Sequence, residues 1–219
     1  MKHAVSRDLF AYWDALRAGR TAPERCDVDP AAIRHILAYT FVLEVAGSGP
    51  SRDVIIRLSG TRLNALFRCE LKGSHLDDIW AARDVTMART MIDYVLDDRV
   101  GVVAGARGAP PGDAAIDLEL LILPLRHHGR THVRLLGSLA AISTPSWIGL
   151  RPITGLELTG FRTLLAAEAE TRLPRFGPDS RAGSPVGPVT GAPVAVKQVG
   201  GFRVYQGGRR TGGPIEIGG

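Results

Sequence analysis

The sequence predicts an α+β domain built on a five-stranded antiparallel sheet, with helices between the second and third strands, N-terminal helices in front and a tail behind. Three observations carry this. Alternation of apolar and polar residues marks five runs of strand length, in two sets separated by a helical region. Apolar residues at 3.6-residue spacing mark one helix ahead of the strands and one between the two sets. From Pro174 onward glycine and proline supply 18 of 46 residues, too little apolar surface to offset chain entropy, so that stretch is predicted disordered. Helices grouped on a sheet of antiparallel strands make a layered fold.

The first helix is marked by Leu9, Tyr12, Trp13 and Leu16, which fall on one face. Ser6 is the expected cap, Asp8 suits the positive end of the dipole, and Arg17 and Gly19 suit the end. A basic turn with Arg20, Pro23 and Arg25 follows. Asp29-Pro30 then predicts a second helix running to about Ile36 or Leu37. Tyr39–Val45 and Asp53–Thr61 read as an antiparallel hairpin around Gly47-Ser48-Gly49-Pro50. Arg62–Phe67 is one or two helical turns, and Ser74 is expected to cap another through Trp80. Asp84–Leu96 is the long helix of this region, with Val85, Ala88, Met91, Ile92 and Val95 on its apolar face. Three strands close the set: Val100–Ala106, Ala115–Leu125 and Thr131–Ile142, the last two joined by a turn at His128-Gly129.

Domain organisation follows from these readings. Residues 1–150 form the domain with its N-terminal helices. Residues 151–173 are a linker with an edge strand around Leu156–Leu158 and a helix around Phe161–Ala169. Residues 174–219 are the tail. One island interrupts it, Ala195–Val199 with Phe202–Tyr205, which alternates like a short strand or a binding peptide unless it is a remnant of the solvated tail.

Composition narrows the function. Charged residues make up 22% of the 219 and apolar ones 45%, which is globular usage. The net charge is +5, but the tail carries +4 of it, so the folded part lacks the basic face of a nucleic-acid-binding domain. Apolar stretches fall short of the roughly 20 residues of a membrane span. The charged N-terminal residues carry no export signal, and Cys26 and Cys69 stand 43 residues apart as reduced thiols. A cytoplasmic protein is expected.

The order of residues in three blocks points to a family. The first reads Arg7-x-Leu9-x-x-Tyr12-Trp13-x-x-Leu16-Arg17-x-Gly19-Arg20-x-x-Pro23-x-Arg25-x-Asp27-x-Asp29-Pro30. The second reads Arg57-Leu58-Ser59-Gly60-Thr61, then Phe67, Glu70-Leu71 and Gly73. The third is Leu123-Pro124-Leu125, followed by Gly137 and Pro145-x-Trp147. Over residues 5–150 or so the chain resembles the bacterial single-PAS proteins of the PAS_5 type. Phe202-Arg203-Val204-x-x-Gly207-Gly208-Arg209 looks like an ending of the same family. Arg68 stands where that family has a glycine. The resemblance implies a PAS sheet and a role in sensing or in protein contact during signalling, with no catalytic or ligand set to carry over.

Candidate sites are few. Glu44 and Arg57 face each other across the hairpin as an ion pair, or orient a ligand if they point to the concave sheet face. Tyr12, Trp13 and Leu16 pack on their own sheet or anchor a dimer or partner interface. His127, His128 and His132 share a hairpin with Arg126, Arg130 and Arg134. That charge disfavours a metal and suits a small anion patch or a solvated tip. Asp117 and Glu119 read as a solvated strand face. The long helix has no histidine for haem, His75 reads as a surface or capping residue, and Cys69 lies too early for flavin photochemistry. GxSxG, GxGxxG and GxxxxGK[ST] are all lacking. The expectation is therefore a non-catalytic module without cofactor or metal. It acts through protein–protein interaction as an adaptor or regulator in a bacterial signalling pathway. The alternative is a small-molecule sensor with its ligand in the PAS pocket. The partner is a separate signalling protein or a second copy met through the N-terminal helix, with no specific nucleic acid and no transmembrane segment.

Overall fold

The computed structural model describes residues 1–47, 51–127, 130–164, 197–199 and 202–206. Helix α1, Ala4–Arg17, leads into a 3-10 turn at Arg25–Asp27 and another at Leu37–Tyr39. Strands β1, Thr40–Ala46, and β2, Asp53–Ser59, form the first hairpin. Helix α2, Thr61–Phe67, 3-10 turns at Leu76–Ile79 and Ala82–Asp84, and helix α3, Val85–Asp97, come next. Strands β3, Gly101–Gly108, β4, Ile116–His127, β5, Arg130–Ala141, and β6, Glu157–Leu164, complete the sheet in the order β2-β1-β5-β4-β3-β6. Two short strands, β7, Lys197–Val199, and β8, Phe202–Gln206, add to the β6 edge.

The α+β architecture is therefore as expected, antiparallel throughout and with its helices between β2 and β3. The sheet is larger than five strands because β6 pairs along β3, from Gly101↔Leu164 to Arg107↔Glu157. The helix expected from Phe161 is a strand as far as Leu164, and its remainder lies outside the described residues. Phe161 packs into the core across from Ala104, which a strand on the open edge of β3 allows. The island of the tail supplies β7 and β8. The expectation for the rest of the tail, and the turn at His128-Gly129, lie outside the described residues.

Side chains alternate between two faces. One face buries Leu43, Ile56, Leu120, Ile122 and Leu139 under α2 and α3, with Met91 and Val95 of α3 pressed onto it. The other buries Leu121, Leu123, Leu125 and Leu136 under α1 and the segment that follows it. Helix α1 presents Val5, Leu9 and Trp13 to the sheet, at the i, i+4, i+8 spacing of one helical face. Its cap is His3, whose Nδ1 accepts the Val5 N–H at 3.1 Å, and Ser6 is buried inside the helix instead. The expected second helix is a run of turns. Its backbone bonds join Ala32 to Asp29, Ile36 to Ile33 and Tyr39 to Ile36, an i+3 pattern. Ile33 and Ile36 are both buried and face the sheet together.

Arg68 ends α2 with φ +53°, the left-handed geometry a glycine takes freely, and its guanidinium donates to the Leu150 carbonyl at 2.6 Å. On the opposite side of the helical layer Arg52 ties the hairpin to α3 through Asp93 and Asp97. His75 caps its 3-10 turn through Asp78, and its Nδ1 lies 2.7 Å from Asp53.

Glu119 corrects the solvated-face reading of β4, since it is 6% exposed. Its carboxylate accepts the N–H groups of Lys2 at 2.6 Å and His3 at 2.9 Å, and so fastens the start of α1 to the sheet. Burial pushes its pKa up, yet those two backbone donors together with the Ser6 hydroxyl and the N-terminal charge outweigh it and hold the group below its ordinary 4.5. A depressed native pKa contributes stability that is complete above the unfolded value and is lost as pH falls through the native one. Glu119→Gln is therefore expected to lose about 1–3 kcal/mol at neutral pH. It should also flatten the acid limb of the stability curve below pH 4.5. Urea midpoints across that range check both; equal midpoints for the two proteins at neutral pH would show that the carboxylate does not hold the helix.

Candidate functional site

The face toward α2 and α3 is closely filled around Gly137, where an added Cβ would meet the Phe41 ring at 2.2 Å. Two cavities, of about 580 and 530 Å³, open instead on the α1 face. Both fall within the size range of small-molecule sites.

The first lies beside the start of α1, over β3, β4 and β6, lined by Lys2, Glu119, Ile142, Thr159 and Arg162 among others. Its carboxylate is committed: Glu119 spends its oxygens on Lys2 and His3 and stays ionised at neutral pH. At neutral pH it has no proton to donate, and each of its oxygens already accepts a backbone N–H. Asp117, next along the same face, pairs with Arg107 at 3.2 Å.

The second lies between residues 25–42 and the β1–β5 part of the sheet. Its floor is Val42, Leu125 and Leu136, and Val28 and Ile33 close it from above. Leu37 and Leu58 stand at its edge, 41% and 49% exposed. Arg25 and Arg34 also line it. The local sequence explains why these two cations are free. In the turn that carries Arg25, Glu24 is taken by Arg126 at 3.2 Å and Asp27 by Arg20 at 2.9 Å. The Arg20 guanidinium and the Glu24 N–H hold the Asp27 carboxyl below the usual carboxylate range. Asp29 spends an oxygen on the Ala31 N–H at 2.9 Å. Among the described residues neither Arg25 nor Arg34 has an acidic partner.

Glu44 and Arg57 meet at 2.9 Å, and Arg134 joins them at 2.9 Å from Glu44. The pairing Glu44↔Arg134 and Val42↔Leu136 puts the triad on the α1 face, beyond the cavity floor and away from the face that packs α2 and α3. Trp13 is 5% exposed, and its indole N–H donates to the Pro124 carbonyl at 2.8 Å. Tyr12 and Leu16 are half-buried. The Tyr12 hydroxyl accepts the Asp29 N–H at 2.7 Å and donates to the Asp29 carbonyl at 3.2 Å, which ties α1 to the roof of the second cavity. Cys26 and Cys69 are exposed free thiols. The side chains of His128 and His132 lie outside the described residues, and among those described no cluster of three metal-ligating side chains occurs.

Sequence reasoning passed over Arg25, Arg34, Leu37 and Leu58 as a group. The signal for them was present only in part, in that Arg25 and Leu58 belong to two of the three ordered blocks. The group assembles only when the turns of residues 30–36 fold back over β1.

No curated protein shows significant similarity to the chain. A family model described as PAS domain, PAS_5, matches residues 1–140.

Proposed function

The chain belongs to the PAS_5 family of PAS domains, and on that premise we propose that it is a non-catalytic signalling module acting through contact with another protein. The observation that supports this is the apolar edge of the second cavity, where Leu37 and Leu58 are 41% and 49% exposed beside Arg25 and Arg34, which have no acidic partner among the described residues. Large apolar side chains grouped at the surface and rimmed by charge are the usual mark of an interaction site. The two carboxylates of the first cavity both have partners, Glu119 the N–H groups of Lys2 and His3 and Asp117 the Arg107 guanidinium.

Replacing both leucines with aspartate tests the reading. The double variant is expected to keep the thermal midpoint within a few degrees, because both side chains are already half in water. It should lose the proteins that co-purify with the tagged wild type in its native host. Retention of the same proteins by the folded double variant would sink this surface as the contact.

A second reading, a small-molecule sensor, is supported by the 530 Å³ cavity itself. Ligand binding would bias signalling only by differential affinity for two conformations. A stoichiometric mass lost on denaturation, seen by native mass spectrometry, would favour it. Self-association through α1 rests on Tyr12 and Leu16, the members of the N-terminal group that keep accessible surface. A dimer mass abolished by Tyr12→Ala with Leu16→Ala would support it.

No helix among the described residues is long and apolar enough to cross a membrane.

A further inference from the structure

The geometry points to the second cavity as a binding site for a small amphipathic carboxylate, a medium-chain aliphatic or aryl-alkyl acid. Three observations converge on that chemistry. The cavity holds about 530 Å³, and Val28, Ile33, Val42, Leu125 and Leu136 give it an apolar interior. Burying an alkyl chain there is worth about 0.8 kcal/mol per methylene. The cations at its lining are unspent: Arg25 and Arg34 have no acidic partner among the described residues, while Glu24, Asp27 and Glu44 are each held by another arginine.

An unpaired guanidinium beside apolar surface suits a carboxylate, which it grips with two parallel N–H bonds at roughly twice the strength of neutral ones. Among the described lining residues Thr40, Ser59 and Thr61 carry hydroxyls, of which Thr40 already donates to the Leu37 carbonyl at 2.9 Å and Ser59 to the Asn64 side-chain oxygen at 2.7 Å. The site therefore offers one cationic end and one apolar end, which is the polarity of a carboxylic acid with a hydrocarbon tail. The chain's own tail is the wrong occupant, since residues 174–219 carry a net charge of +4 and would be repelled by the arginines.

The site is on the sheet face away from α2 and α3, and the proposal rests on the sensor reading of the same cavity, for which it names the ligand class. Occupancy would cover the inner flanks of Leu37 and Leu58, so that ligand and partner compete for one edge.

Isothermal titration of the full chain with decanoate, decanol and decyltrimethylammonium tests it. Decanoate is expected to bind one to one, with decanol weaker by about tenfold or more and the cationic probe inert, which is at least 1.4 kcal/mol from the carboxylate. The Arg25→Ala, Arg34→Ala double variant should weaken decanoate by a similar factor and leave decanol unchanged. Both arginines reach water, and the thermal midpoint of the variant reports its folding. Amide chemical shifts on adding decanoate should move in residues 28–42 and at Leu136. Equal affinity for decanoate and decanol would overturn the proposal, as would unchanged decanoate binding in the double variant, shifts confined to the other face, or no saturable heat. A concentration-dependent dimer whose contacts map to Leu37 and Leu58 would assign the cavity to a second copy and overturn it equally.

Discussion

Trp13→Ala is expected to cost roughly 3–5 kcal/mol, enough to unfold a large fraction of a domain whose total stability is of order 5–15 kcal/mol. Several contributions add. The side chain is 5% exposed and sits in the apolar layer between α1 and the sheet, with Leu9 and Leu123 in the same cluster. Phe10 stacks against its ring at 6.0 Å, and the Arg17 guanidinium lies 5.7 Å from the ring centre. Its indole N–H meets the Pro124 carbonyl at 2.8 Å. That carbonyl is available because β3 ends its pairing at Val102↔Ile122, which leaves the β3 side of β4 open at Pro124 while Leu135 of β5 pairs on the other side. Proline lacks the N–H that a partner would need there, and the indole satisfies what remains. Trp13→Phe should separate the hydrogen bond from the packing and cost about 1–2 kcal/mol. Urea unfolding gives both values, and hydrogen exchange should show α1 opening first in the alanine variant. A loss below about 1 kcal/mol for Trp13→Ala would mean that α1 is not seated on the sheet in solution. The result also bears on the interface reading: Trp13 is committed inward, so a partner contact on α1 is tested with Tyr12 and Leu16.

The elements that were legible in the sequence are those whose periodicity is enforced by burial on one side. Ala88, Met91, Ile92 and Val95 of α3 are the example, and α3 and β2 both end within two residues of where the pattern places them, although a bulge in β2 turns Leu58 to the face opposite Ile56. The misses have a common cause, which is that a distant partner decides them. Phe161–Leu164 is a short apolar run, and such a run is strand or helix according to what lies beside it. Here the open edge of β3 decides. Glu119 reads as solvated in an alternating strand, and its donors come from Lys2 and His3, more than a hundred positions away. The residues after Asp29-Pro30 carry a helix start signal, but the backbone there closes i+3 bonds and forms a run of turns with Ile33 and Ile36 buried. The Glu44–Arg57 pair was legible because a hairpin brings the two together locally. The addition of Arg134 was not, since β5 joins β1 from far along the chain. The second cavity was least visible, because its lining comes from the turn at Arg25, the coil after Pro30 and four strands. No local window contains the site.

Gly137→Ala is expected to destabilise by about 3 kcal/mol, near the upper end for a small overpacking substitution. The position is in the middle of β5, opposite Phe41 of β1 and Ile122 of β4. An added Cβ would lie 2.2 Å from Cζ of Phe41 and 2.7 Å from the Leu121 carbonyl oxygen. The first contact is with a ring that is 4% exposed and enclosed by the core, and the second is with ladder backbone, so neither neighbour is free to withdraw. The glycine thus serves as the seat of the aromatic ring. Gly60 plays a related part at the end of β2, where a Cβ would meet the Ala38 carbonyl oxygen at 2.3 Å, and the Gly60 N–H donates to the Thr40 carbonyl at 2.8 Å. Both glycines lie in the ordered blocks of the sequence, and close approach of other groups, not a left-handed turn, requires them. A double-mutant cycle with Phe41→Leu separates the two contacts. Shortening the ring should recover part of the loss caused by the alanine, with a coupling of about 1 kcal/mol or more, while the clash with Leu121 persists. Additive losses would show that the ring does not lie over Gly137. The same register sets Val42 beside Leu136, the floor of the second cavity. A β1 strand pushed away from β5 by the alanine should therefore weaken decanoate binding together with stability, although Gly137 itself is not among the cavity's lining residues.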